Sequence, residues 1–225
     1  RDLHSFPTRR SSDLAFYKTY AEFGVDYFAD QGVSGTINAT NFNALKIYLK
    51  SKLAKDVNAD FESLIRNFCN AYYGAGGNDM YNLITAEREW YATLSAKTVQ
   101  DKGKDMTGCH ILGNSDLFNK KYWDDTPAGT IIKKYDASML KGWYSNHIAA
   151  ALAKVDADSE YANRIKIEGL SIRYMAYAVY EDGTYGDFSA IITDAKTLGI
   201  TRFAEGSAST KNGSFHVSGI IDNLC

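Results

Sequence analysis

The chain has 225 residues and a formal net charge of −2, from 25 Lys+Arg and 27 Asp+Glu. That length suits one large domain or one and a half small ones, and 45% hydrophobic residues supply an adequate core. No basic stripe is present, which argues against nucleic acid as a partner, and no apolar run is long enough for a membrane span.

Tyrosine is the compositional anomaly, at 16 against 3 Trp and 2 Pro. Tyr-rich faces suit sugar stacking, but they are more often ordinary anchors at helix surfaces. Cys69 lies on an apolar helical face, Cys109 in a loop and Cys225 at the chain end. Their spacing makes neither a disulfide framework nor a zinc site.

The first residues stand apart. Phe6 to Leu14 reads FPTRRSSDL and is similar to the translation of a common sequencing adapter. Residues 1–14 are therefore set aside from the fold, and further natural sequence is expected before Ala15. The plainer alternative is a basic, Ser-rich tail. Ala15–Phe23 then forms a short helical piece with Phe16, Tyr20 and Phe23 on one side. Gly24–Ala29 (GVDYFA) is short, β-branched and aromatic, which predicts a strand ended by Asp30, Gln31 and Gly32.

Asp26 and Asp30 are not a glycosidase pair. Four residues along a strand at roughly 3.3 Å each put them about 13 Å apart. Acid–base pairs of that class need about 5–5.5 Å or about 6.5–9.5 Å.

The chain is organised around Leu45–Gly74. Phe42, Leu45, Leu49 and Leu53 line one face of a first amphipathic helix, and Tyr48 widens it. Phe61, Leu64, Ile65, Phe68, Cys69 and Tyr72 line one face of a second. Asn58 or Asp60 caps its start, and Gly74 stands where a left-handed residue closes it.

The same stretch carries Y-L-x-x-K-L, a D-V-x-x-D link and L-I-x-x-F-x-x-x-Y-Y-G. The residues are Tyr48, Leu49, Lys52, Leu53, Asp56, Val57, Asp60, Leu64, Ile65, Phe68, Tyr72, Tyr73 and Gly74. It resembles a segment of a bacterial family known as domain of unknown function 4838. LGITRFAEG, near residue 200, is similar to the end of that family's helical region. The resemblance implies a (β/α)8 barrel akin to α-glucuronidases and hexosaminidases, followed by helices. It implies a glycoside hydrolase that is secreted or periplasmic and acts on polysaccharide or oligosaccharide. Gly24–Ala29 would then be the last barrel strand, with Asp30 and Gln31 at its mouth as candidate substrate contacts. A turn and cap is the plainer reading of the same two residues.

Two acidic links imitate calcium loops, at Asp56-x-Asn58-x-Asp60 and Asp156-x-Asp158-x-Glu160. Both lack the glycine and the final glutamate of such a loop, so they read as helix caps. Ala75–Asn78 (AGGN) reads as a loop and lacks the ending of a phosphate cradle. A third helix is predicted from Asp79 to about Val99, with Met80, Leu83, Ile84, Glu87, Tyr91 and Leu94 on one face. Glu87, Glu89 and Trp90 could suggest a sugar site, but read better as a solvated face beside an aromatic anchor.

Gln100–Gly113 is a polar stretch, and Cys109-His110 within it lacks the second pair a metal site needs. Asn114–Asp125 reads as a short helix ended at Thr126-Pro127. Asp136 caps a helix whose Leu140, Trp143, Tyr144, His147, Ile148, Ala151, Leu152 and Val155 follow helical spacing. His147 reads as a core or boundary residue. Ser159–Tyr180 forms the next helix, with Tyr161, Ile165, Glu168, Ile172, Met175 and Val179 on a near-heptad seam. Asp182-Gly183 turns the chain. Phe188, Ile191, Ile192, Ala195 and Leu198 form a last helix stopped by Gly199, and Ile200–Ala204 reads as a strand.

The expected fold class is mainly α, a helical bundle preceded by the last βα unit of a truncated (β/α)8 barrel. The expected parts are residues 15–56 as barrel remnant, 57–206 as helical domain and 207–225 as a tail or the start of a β element. Catalytic carboxylates are expected outside this chain, and no cofactor or metal motif is present. The alternative is a non-catalytic helical module that binds carbohydrate or another protein.

Overall fold

The computed structural model describes residues 17–25, 42–95, 99–101, 104–106, 137–180 and 183–200, and these are mainly helical. Most of the expected strand at Gly24–Ala29 lies outside the described residues, as do Cys109, His110 and the stretches 114–125 and 201–225.

Helix α1 (residues 17–22) ends at Gly24, where φ is +65°. The Val25 N–H donates to the Tyr20 carbonyl at 2.9 Å and the Gly24 N–H to that of Ala21 at 3.2 Å. This is a Schellman closure, so Gly24 and Val25 finish a helix rather than open a strand.

Helix α2 (Asn43–Lys55) buries Leu45, Leu49 and Leu53, the stripe its spacing predicts. Asp60 then caps α3 (Phe61–Tyr73). Its carboxylate accepts the backbone N–H groups of Glu62 and Ser63, which settles the choice between Asn58 and Asp60. The core face of α3 is Ile65, Phe68, Cys69 and Tyr73, while the predicted Phe61, Leu64 and Tyr72 sit half-buried at its margin.

The AGGN stretch is not a loop. Gly74–Gly76 makes a 3-10 turn, and α4 (Gly77–Ser95) begins at once. A Cβ on Gly77 would lie 2.6 Å from the Cys69 carbonyl oxygen and 2.8 Å from the Asn70 Cα. Only glycine lets α4 start this close to the backbone of α3. Helix α4 buries Met80, Leu83 and Ile84, and it stops at Ser95, short of the predicted Val99. β-branched Val99 belongs instead to β1 (Val99–Asp101), which pairs antiparallel with β2 (Lys104–Met106), Val99 opposite Met106.

The helix predicted through Leu140 and Val155 carries an irregularity. In α5, Ala137–Trp143 is α-helical, Tyr144–Ala149 is π-helical and Ala150–Leu152 is α-helical again. Its buried residues are Leu140, Trp143, Ile148 and Ala151. The five-residue step from Trp143 to Ile148 is that of a π turn, whose hydrogen bonds run i to i+5.

Helix α6 (Glu160–Tyr180) is central and packs on α3, on α5 and on α7 (Phe188–Thr197). The Ser159 hydroxyl caps it by accepting the Ala162 N–H. Tyr161, predicted on the buried seam, is 41% exposed. Ile165, Glu168 and Ile172 are buried as their spacing predicts, with Ala162 beside them, where α6 packs on α3 and α5. Asp187 caps α7 through the Ala190 N–H, and Gly199 closes it at φ +77°. One core joins Phe42, Leu45 and Leu49 to Ile65, Tyr73, Leu83, Ile148 and Ile165. Residues on both sides of the boundary expected at Asp56 therefore share it.

Candidate functional site

The most unusual chemistry among the described residues lies at Glu168. Its near-heptad position on α6 places a carboxylate on an apolar seam, and only 5% of the residue is exposed. The Phe42 backbone N–H donates to Oε2 at 2.7 Å, and the Tyr73 hydroxyl donates to Oε1 at 3.0 Å. Both oxygens are thus satisfied by groups from elements other than α6.

Each partner is placed for its own local reason. Tyr73 ends α3 on the same face as Ile65 and Cys69 and is fully buried. Phe42 is the N-cap of α2, with φ 55° and ψ 34°, and no side chain from its own helix caps it. This left-handed conformation is uncommon for an aromatic residue. In a capping box, a Glu or Gln three residues on would reach back to the N-cap N–H. Position three of α2 is Leu45, committed to the core. Glu168 supplies the missing carboxylate from α6, where the positive end of the α2 dipole also favours it.

Burial pushes the Glu168 carboxyl up from 4.5 to about 7; the Phe42 and Tyr73 hydrogen bonds and the nearby Lys46 charge offset only part of this. Burial likewise holds the Tyr73 phenol well above its ordinary value, with the Glu168 charge adding to it. Burial pushes the Cys69 thiol up to about 12, again helped by Glu168.

A second feature is a row of rings at the margin of α2, α3 and α6. Tyr48 and Phe68 have centroids 5.3 Å apart, and Phe68 stacks on Tyr72 at 4.8 Å. Lys52 lies 5.3 Å from the Tyr48 ring, and the Arg164 guanidinium 4.3 Å from that of Tyr72. Arg164 also donates to the Tyr72 carbonyl at 3.1 Å and pairs with Glu160 at 2.6 Å. Tyr48 and Tyr72 are half-buried.

The residues singled out by sequence divide as follows. Asp30 and Gln31, the candidate substrate contacts, lie outside the described residues. Glu87, expected on a solvated face, is buried at 4% exposure because it continues the Met80, Leu83, Ile84 stripe of α4, while Glu89 is exposed. His147 is half-buried in the π-helical turn, with burial holding it below its ordinary value and Asp79 acting the other way. Asp79 is itself ion-paired to Lys154 at 2.6 Å. In the two acidic links, Asp56 accepts the Asn58 N–H and Asp156 that of Asp158, which makes both of them capping turns. Among the described residues, no group of His, Cys, Asp and Glu could hold a metal ion, and no helix is long and apolar enough to cross a membrane.

Sequence reasoning put Glu168 on its seam but missed what it does. The signal was present: a carboxylate among Ile165 and Ile172. Its partners were not legible, because they come from 126 and 95 residues away.

No protein-family model, curated protein or solved structure matches this chain. The functional reading therefore rests on the residues themselves.

Proposed function

We propose that this chain is the helical, non-catalytic part of a bacterial glycoside hydrolase acting on polysaccharide, with the helices bracing a (β/α)8 barrel. The observation that carries the reading is the use made of the Y-L-x-x-K-L to Y-Y-G motif. Its apolar members Leu49, Leu53, Ile65, Phe68 and Tyr73 are core residues, and the Tyr73 hydroxyl is bonded to α6 through Glu168. The motif packs α2 and α3 into the same core as α6, the arrangement a brace would use. In this reading the catalytic carboxylates lie on barrel strands of a longer protein, and Asp30 and Gln31 are its candidate substrate contacts.

Sequencing of the source DNA upstream of Ala15 tests this reading. Several βα units with two acidic strand ends support it, and unrelated sequence there overturns it. In parallel, reducing-sugar release from a panel of polysaccharides is expected from the longer protein and not from this chain alone.

The ring row favours a second reading, a non-catalytic helical module that binds carbohydrate. Half-buried Tyr48 and Tyr72, packed on Phe68 and each near a cation, form a wet aromatic margin of the kind that meets the apolar face of a sugar ring. Titration calorimetry of this chain with neutral and acidic oligosaccharides tests it. Binding that weakens at least about tenfold in Tyr72→Ala, equivalent to about 1.4 kcal/mol, supports it. Absence of binding by the unmodified chain sinks it.

A further inference from the structure

Helix α2 concentrates positive charge in a chain that is otherwise acidic. It holds four Lys and no Asp or Glu, while the chain as a whole stands at −2. The remainder therefore carries −6, the whole less the four of α2. Tyr48, Lys52 and Lys55 lie at i, i+4 and i+7, so they share the flank of α2 on which Tyr48 meets Phe68. Lys46 and Lys50 fall on the opposite flank by the same spacing.

The cations at the two ends of the ring row differ. Arg164, beside Tyr72, is neutralised where it stands by Glu160 at 2.6 Å and donates to the Tyr72 carbonyl at 3.1 Å. Lys52 and Lys55 are exposed, and among the described residues neither forms an ion pair. The acids that follow them in sequence are turned to backbone groups instead. Asp56 accepts the Asn58 N–H, and Asp60 accepts those of Glu62 and Ser63. The helix dipole favours a lysine in a last turn, but it does not ask for one against a ring. The Lys52 Nζ lies 5.3 Å from the Tyr48 centroid.

We propose that the ligand of the ring row is an anionic polysaccharide, whose carboxylate or sulfate groups meet Lys52 and Lys55 while a sugar face rests at Tyr48. This rests on the carbohydrate-module reading above and names the class of glycan. Tyr48 to Lys55 spans about 10 Å at roughly 1.5 Å per residue, room for a short run of a glycan rather than for one sugar. Charge complementarity selects the ligand, because a neutral glycan leaves both ammonium groups without a counter-charge. The shape of the charge selects it too. A wide anionic surface such as a bilayer would also face the acidic remainder of the chain, whereas a single glycan chain lies within one strip of α2.

Titration calorimetry of the full chain with matched pairs tests the proposal: oligogalacturonate against its methyl ester, and dextran sulfate against dextran. One charged member should bind at least about tenfold more tightly than its neutral partner, and its affinity should fall as salt screens the contact. Lys52→Gln with Lys55→Gln should remove about tenfold of the charged ligand's affinity and leave the neutral one's unchanged. Both side chains are exposed, so the double variant keeps the fold. Lys166→Gln, an equal loss of charge at an exposed position of α6, should change binding little. Equal binding of the charged and neutral members, unaltered in the double variant, overturns the proposal and leaves the carbohydrate reading standing. Binding to none of the four overturns both. Equally tight binding to phosphatidylglycerol vesicles or to single-stranded DNA overturns the assignment to a glycan.

Discussion

The Phe42 backbone N–H donates to the Glu168 carboxylate at 2.7 Å across 126 residues of sequence. A helix start that lacks its own capping glutamate borrows one from another helix. The arrangement ties the start of α2 to α6, and it places a carboxyl group where water is excluded.

The contribution of Glu168 to stability should fall as pH rises from about 4.5 to about 7. The Glu168 carboxyl stands at about 7 when folded, against 4.5 as its ordinary value. Between those values the folded state binds more protons than the unfolded state, so stability decreases with rising pH in that window. Below about pH 4.5 the contribution is full, and above about pH 7 it is gone. The whole span is on the order of 3 kcal/mol, because each pKa unit corresponds to about 1.4 kcal/mol. Urea denaturation at half-unit pH steps measures it. Glu168→Gln should remove most of the slope, and a slope of unchanged size in that variant would contradict the assignment.

Gly77 and Gly183 should respond oppositely to alanine. Helix propensity alone favours Ala by about 1 kcal/mol in a helix interior. At Gly77 the new Cβ would lie 2.6 Å from the Cys69 carbonyl oxygen and 2.8 Å from the Asn70 Cα, both backbone atoms that cannot swing aside. Overpacking of that kind costs about 1–3 kcal/mol, so Gly77→Ala should lower Tm. At Gly183 nothing lies within 4 Å of the added Cβ, and Gly183→Ala should be neutral or slightly stabilising. Thermal melts of the two variants side by side give the comparison.

Arg173 should not tolerate lysine. Its Nε donates to the Tyr185 carbonyl at 2.6 Å, and its Nη1 pairs with Asp194 on α7 at 2.6 Å. A guanidinium serves both directions at once, and an ammonium on a flexible stem does not. Arg173→Lys should cost about 1–2 kcal/mol, the range for losing a hydrogen bond to a charged group at a site with some solvent access. Chemical denaturation measures the loss. Hydrogen exchange should place it in α7 and the Gly183–Tyr185 turn rather than in α2.

Cys69 should be inert while the chain is folded. The residue is fully buried and its thiol is pushed up to about 12, so the reactive thiolate is scarce at neutral pH. Peptide mapping after iodoacetamide treatment should find Cys69 unmodified in the native chain and modified in urea. Rapid native labelling would show that the α3–α4 interface opens far more readily than its packing implies.

The sequence by itself determined which segments are helices and where most of them start and stop. Apolar residues at helical spacing mark α2, α3, α4, α6 and α7, and Asp60, Ser159 and Gly199 mark ends of three of them, because capping and amphipathicity are local interactions written within a few residues. Where local rules met a second helix, the pattern misled. AGGN has loop composition, yet Gly77 starts a helix because the α3 backbone leaves room for nothing larger. The apolar stripe of α5 buries Leu140, Trp143, Ile148 and Ala151 as its spacing predicts, yet its Tyr144–Ala149 turn is π-helical, which the spacing does not reveal. Tyr161 and Ile165 share a seam by spacing, but Ile165 is fully buried while Tyr161, packed edge-on at Gly74, stays 41% exposed. Glu168 shows the division most clearly. Its place on an apolar seam was legible, but whether a buried carboxylate is tolerable depends on donors arriving from Phe42 and Tyr73. Only the tertiary packing of α2 and α3 against α6 brings those donors within hydrogen-bonding distance.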